Sequence, residues 1–131
     1  MIVDLISFSF SRNKPLEANY IIDVRFLNNP FYVDKLRTLT GLDIDVIKFF
    51  EDDRTAKSFL NKLSEWVKYI IELNKKANKE KITIAVGCTG GQHRSPYIVE
   101  YLAKYLNKKK LADELTVYHR ELSKYNIGVE A

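Results

Sequence analysis

The sequence predicts an α/β fold: a single-domain sandwich with a mostly parallel sheet of about four strands and flanking helices. Short β-branched runs and amphipathic helical stretches succeed one another in the order β, β, α, α, β, α, β. The last three of these form a β-α-β unit, whose two strands are parallel when its crossover is the usual right-handed one. Finally, a polar cluster follows every strand pattern, and a parallel sheet gathers such clusters at its carboxyl edge, where open α/β folds bind ligands.

The first strand is read over residues 2–10, where Ile2, Leu5, Ile6, Phe8 and Phe10 alternate loosely with polar residues. Ser7, Ser9 and Ser11, then Arg12, Asn13 and Pro15, make its polar exit. The second strand covers residues 20–24 and exits through Asp23, Arg25 and Asn28. No periodicity holds over 30–41, and Arg37, Thr38, Thr40 and Gly41 there suggest an ordered loop. Asp43 is the expected cap of a short helix ending near Phe50. A longer helix is expected over 55–74. Its stripe of Ala56, Phe59, Leu60, Leu63, Trp66, Val67, Ile70 and Leu73 recurs at helical spacing and faces a core, with Trp66 as a packing residue. The third strand runs over 81–86. The next helix starts at Pro96 with Ser95 as its N-cap, buries Ile98, Leu102, Tyr105 and Leu106, and ends at Lys108, Lys109 and Lys110. The last strand covers 115–118, with His119 and Arg120 directly after it.

Composition narrows the class. The 131 residues suit one domain, 1–131, with a core of its own, and 46% apolar with 29% charged residues excludes a disordered chain. No apolar run reaches the length of a membrane span, and Asp4 interrupts the start of the chain too early for a secretory signal. A single cysteine forms no intramolecular disulfide, so a reducing, cytoplasmic setting is expected. The net charge of +4 permits an acidic ligand or nucleic acid and establishes neither.

The stretch Gly87-Cys88-Thr89-Gly90-Gly91-Gln92-His93-Arg94-Ser95-Pro96 is the candidate site. A strand that ends in glycines and turns into a helix brings backbone N–H groups and the positive end of the helix dipole close to a bound anion. Arg94 adds a planar fork of donors for a phosphate or carboxylate. The anion-binding residues are therefore expected to be Cys88, Thr89, Gly90, Gly91, Gln92, His93, Arg94 and Ser95. Ser9, Asp23, Arg25, Asn28, Arg37, Thr40, His119 and Arg120 are expected to form the rest of the pocket.

Three motifs, in order, carry a resemblance: 23–30 (DVRFLNNP), 36–43 (LRTLTGLD) and 87–95 (GCTGGQHRS), with His119-Arg120 after them. Together they resemble the C-terminal domain of the RapZ/YvcJ family, RNase adapter and nucleotide-binding proteins, along nearly the whole chain. Members of that family usually carry an N-terminal P-loop domain. No Walker A motif occurs here, so a free-standing C-terminal-type domain is expected and Walker-type nucleotide binding does not carry over. The resemblance implies a regulatory role: holding a phosphorylated amino sugar or a similar metabolite, and association with RNA. Two places depart from the family. Its Ser-Phe-Gly-Phe-Lys stretch reads Ser7-Phe8-Ser9-Phe10-Ser11, followed by Arg12. Where RNA-binding members end in a basic tail, residues 124–131 hold one lysine and a glutamate.

A second resemblance is local. Cys88-x5-Arg94-Ser95 resembles the signature of cysteine-dependent phosphatases, whose thiolate attacks phosphorus while loop amides and an arginine hold the phosphoryl oxygens. In that alternative Cys88 is the nucleophile, Arg94 the clamp and Asp23 the acid, but Gly87 stands where those enzymes usually carry a histidine. Cys88, His93 and His119 have metal-ligand side chains at a spacing that matches no standard metal motif, so no metal is expected, and no cofactor. The expected partner is a phosphorylated small molecule, with no membrane; RNA is the second candidate, through Lys75, Lys76, Lys79, Lys81, Lys108, Lys109 and Lys110. A homo-oligomer is compatible with all of this. The leading expectation is a non-catalytic binding domain.

Overall fold

The computed structural model describes residues 1–15 and 17–125, so the C-terminal end of the tail, 126–131, lies outside the described residues. Its four strands are β1 (Ile2–Ser9), β2 (Tyr20–Asp23), β3 (Lys81–Cys88) and β4 (Glu114–His119). They form one sheet in the order β2-β3-β1-β4, and every neighbouring pair is parallel. Two short 3-10 turns, Pro30–Tyr32 and Asp34–Leu36, lead into α1 (Ile44–Glu51) and α2 (Arg54–Lys76). From β3 the chain crosses β1 through α3 (Arg94–Lys108) to reach β4.

Strand alternation decides which residues meet the helices. Val3 and Leu5 of β1 lie beside Ile82 and Ile84 of β3, and all four join the main core with the apolar faces of the helices. The opposite face of the sheet buries Ile6, Phe8 and Ala85 under Phe10 and Ala18. A parallel sheet needs cover on both faces; helices supply it on one, and the segment after β1 closes the centre of the other.

Helix ends follow capping chemistry, with some departures from the sequence expectation. Asp53 caps α2 by accepting from the N–H groups of Thr55 and Ala56. That helix buries Ala56, Leu60, Leu63, Val67, Ile70 and Ile71, but Trp66 and Leu73 are 38% and 41% exposed. Trp66 packs at the rim, edge-on to Tyr20 with ring centroids 5.6 Å apart. Asp43 does stand at the N-cap of α1, but its side chain makes no capping bond to the helix; it accepts instead from the N–H of Thr40, at 2.8 Å. At α3 the N-cap is His93, not Ser95. Pro96 then falls at the third helical position, where no intrahelical donor is needed.

Because all strands run one way, the exits of β1, β2, β3 and β4 meet at the carboxyl edge. The lysine-rich segments go to the other end. Lys75, Lys76, Lys79 and Lys81 span the end of α2 and the start of β3, while Lys108, Lys109 and Lys110 end α3 ahead of β4. One of them is already paired: Lys81 Nζ lies 2.9 Å from an Asp4 carboxylate oxygen.

Candidate functional site

The β3–α3 connection is built so that its side chains grip neighbouring loops. Gln92 Nε2 donates to the carbonyls of Arg37 and Leu39, at 2.7 and 2.8 Å. His93 is buried, with Nε2 2.9 Å from the Leu36 carbonyl, so that nitrogen carries the proton and donates. Arg94 is 6% exposed. Its Nη1 donates to the carbonyls of Arg25 and Leu27, at 2.6 and 3.1 Å, and Nη2 reaches Thr89 Oγ1 at 3.4 Å. These three consecutive side chains tie the exit of β2 and the 36–39 loop to the start of α3.

The backbone of the same connection is left unspent. Among the described residues, no acceptor takes a hydrogen bond from the N–H of Thr89, Gly90, Gly91, Gln92, His93 or Arg94. Gly91 has φ +68°, and a Cβ there would stand 2.6 Å from Glu121 Cγ, so both backbone conformation and space require glycine. A run of unpaired amides at a helix N-terminus is chemically suited to an anion. Arg94 Nε–H likewise has no acceptor among the described residues.

Cys88 forms the floor. It is 2% exposed, and its sulfur lies 3.2 Å from Ser95 Oγ and accepts weakly from the Ser95 N–H at 3.4 Å. The Ser95 hydroxyl also lies 3.3 Å from the Phe8 carbonyl. Ser9, the neighbour of Cys88 across the β1–β3 ladder, donates to the Thr89 carbonyl at 2.5 Å and fixes the first bend of the loop. Gly87 has its own reason: a Cβ there would meet the Phe8 and Phe10 rings at 2.4 and 2.6 Å.

The remaining expected pocket residues divide. Asp23 and Arg25 form a bidentate pair at 2.9 and 2.7 Å beside the loop, and the Arg25 guanidinium lies 4.0 Å from the Phe10 ring centroid. Arg120 Nε is 3.1 Å from Glu121. Asn28 turns to the α2 cap and donates to Asp53 at 2.8 Å. Arg37 pairs with Asp34 at 3.0 Å and donates to the Phe31 carbonyl, while Thr40 is buried in its own turn. His119 faces the helices, with Nδ1 2.8 Å from Ser7 Oγ and Nε2 2.7 Å from Glu100. Cys88, His93 and His119 are thus committed to separate contacts, and no group of metal-ligating side chains forms among the described residues.

Two residues of the site escape sequence reasoning. Glu121 is 3% exposed, packs against Gly91, and lies 3.8, 3.1 and 2.7 Å from Arg12, Arg120 and Lys124. Tyr125 donates to the Gly90 carbonyl at 3.1 Å. Glu121 directly follows His119-Arg120 and Tyr125 comes shortly after, and that placement is the only signal for either. Burial works to raise the Glu121 carboxyl, but the bonds and charges of Lys124 and Arg120 outweigh it and hold it below its ordinary range. Arg25 holds the Asp23 carboxyl low in the same way. Burial pushes His93 below the usual histidine range, and the positive charge of Arg94 adds to that.

The profile of the RapZ C-terminal domain family matches residues 1–123. A nucleotide-binding protein of Lactobacillus helveticus is 43% identical over 123 residues, covering 94% of this chain and 41% of that protein. One from Listeria innocua is 41% identical over 122 residues, covering 93% and 41%. The chain therefore spans about two fifths of the length of the curated relatives it matches. With a matching profile from the first strand past His119-Arg120, and the four-stranded parallel sheet to carry it, the chain belongs to the RapZ C-terminal domain family.

Proposed function

We propose that this domain is a regulatory binding module of the cytoplasm. It holds a phosphorylated metabolite, an amino-sugar phosphate or a nucleotide-like anion, on the 87–95 loop without turning it over. The observation that carries the reading is the row of amides from Thr89 to Arg94, at the start of α3, that meet no acceptor among the described residues. Arg94 Nε and the dipole of α3 add positive potential there. The names of the relatives, nucleotide-binding proteins, are in keeping with a phosphorylated ligand. RNA would be engaged elsewhere, by the lysines at the amino edge of the sheet, and an adapter role would then join two ends of one small domain.

The phosphatase alternative draws on the sulfur of Cys88 beneath the same amides. It needs a protonated acid for the leaving oxygen, and Asp23 is held ionised by Arg25. The deciding experiment titrates inorganic phosphate and glucosamine 6-phosphate into wild type and Cys88→Ser, then measures phosphate release by both. Binding within about 1 kcal/mol in the two proteins, with no release, is expected, because amides and Arg94 carry the anion. Release by the wild type that vanishes in Cys88→Ser makes the domain an enzyme, and absence of binding by either removes the loop as a site.

A further inference from the structure

The helix layer contains a cleft that the 87–95 loop does not use. It has a volume of about 750 Å³ and lies between α1, α2 and α3, within the range of roughly 300–1,000 Å³ common for small-molecule sites. Its floor is apolar, with Leu60 buried and Ile47 half-buried. Along one side run Tyr97, Tyr101 and Tyr105, each one turn after the last on the same face of α3. Lys57, Lys104, Lys108 and Lys109 stand around the cleft, and none of them makes an ion pair among the described residues. The carboxylates there are Glu51 and Glu100, and Glu100 is already engaged by His119 at 2.7 Å.

Tyr97 is the most informative of these residues. It is 6% exposed, its ring stacks on Phe50 at 4.6 Å, and its hydroxyl has no hydrogen-bond partner among the described residues although it lines the cleft. The hydroxyl opens onto the cleft and is free to donate to whatever fills it. Burial, and after it Glu51 and Tyr101, push this one up to about 12, so it stays a protonated donor at any physiological pH. An apolar floor, half-buried tyrosine rings, unpaired lysines and one phenol donor open to the cleft together suit a ligand with a flat ring and an anionic group.

We propose that the cleft between α1, α2 and α3 is a second ligand site, for a nucleoside phosphate, whose base lies along Tyr101 and Tyr105 and whose phosphate meets Lys104 and Lys108. The site is separate from the anion loop, yet it touches the same scaffold. Gly41, at its edge, donates its N–H to the Gln92 carbonyl at 2.9 Å.

The test titrates AMP, adenosine and ribose 5-phosphate into isotopically labelled protein and follows backbone amide shifts. AMP is expected to move amides around residues 57–61 and 97–108, and to bind at least about tenfold more tightly than adenosine or ribose 5-phosphate. Lys104→Glu is expected to weaken AMP at least about tenfold, and to leave inorganic phosphate at residues 89–94 unchanged. Lys108→Glu repeats the reversal at an exposed position away from Glu100. AMP shifts confined to residues 89–94, no AMP shifts at millimolar concentration, ribose 5-phosphate binding as tightly as AMP, or both reversals binding AMP like wild type would each overturn the proposal. Arg94→Lys should leave AMP in the cleft unaffected, so failure of the loop as a site and failure of the cleft give different patterns.

Discussion

Replacing Arg94 with lysine keeps the charge and tests whether this side chain is a scaffold clamp. Its Nη1 bonds two carbonyls, Arg25 at 2.6 Å and Leu27 at 3.1 Å. A lysine ammonium, a single point of charge at the end of a flexible stem, can replace one of these bonds but not the fork. Charged hydrogen bonds contribute about 1.5–3 kcal/mol each, and a carbonyl left unsatisfied in a buried setting adds to the loss. A destabilisation of about 2–4 kcal/mol follows. Unfolding entropy of about 2.1 cal/mol/K per residue, over 131 residues, gives about 0.28 kcal/mol/K. The melting temperature should therefore fall by roughly 7–14 °C. The assay is thermal unfolding by circular dichroism in phosphate-free buffer, so that ligand linkage adds nothing to either protein. Phosphate affinity should fall in parallel, since the loop loses its tie to the exit of β2. A melting temperature within about 2 °C of wild type would refute the clamp, because so small a change is under about 1 kcal/mol.

Gly41→Ala should be as damaging without any change of charge. A Cβ there would lie 2.4 Å from the His93 carbonyl oxygen and 2.6 Å from the Tyr97 nitrogen, both backbone of the α3 start, so a loss of about 2–3 kcal/mol is expected, and a variant that melts with wild type refutes it. Stability should also fall on mild acidification through His93. The unfolded chain takes up its proton near 6.5, the native ring only at lower pH, so between those values the unfolded state binds more protons and stability drops by at most about 1.4 kcal/mol per pH unit. That contribution is fully present above 6.5 and is lost as pH falls toward the native value. His93→Gln, which keeps a donor for Leu36 and cannot titrate, should flatten denaturant-derived stability between about pH 7 and 5 relative to wild type; parallel profiles would count against the assignment.

The sheet was legible because each strand is a short β-branched run and each helix carries its own period. Those are local signals, and they survive into the fold almost unchanged. The loop stood out as a candidate for a similar reason, since glycines, Arg94 and Pro96 fall within a few residues. What each side chain does there was not legible. Gln92, His93 and Arg94 look like ligand contacts in sequence because they are polar and adjacent to glycines. Their partners are carbonyls of residues 25, 27, 36, 37 and 39, and nothing in a sequence marks which carbonyls lack a partner. Glu121 was invisible for the opposite reason: a lone glutamate near a chain end reads as solvated, and only the fold brings Arg12 to it from more than a hundred residues away. His119 follows its strand as expected, but strand parity turns it to the helix side, toward Glu100.

The distribution of charge around the loop favours recognition by the backbone over recognition by exposed cations. Arg12, Arg120 and Lys124 surround the buried Glu121 carboxylate, and Arg25 is matched by Asp23. Each of these four cations therefore already has a carboxylate. An incoming anion gains little from them and faces the negative charge of Glu121 behind Gly91. Its favourable contacts would be fixed amides and the guanidinium of Arg94, which is held in place by carbonyls and needs no rearrangement to bind. Such a site rewards a compact, tetrahedral group whose oxygens reach several amides at once. A larger, diffuse anion would meet the same carboxylates with fewer amides in reach. The lysines at the opposite edge differ: they are exposed, so they would answer to the charge of a partner more than to its shape. On the proposed function, a shape-selective and a charge-selective surface would thus stand at opposite ends of the same parallel strands.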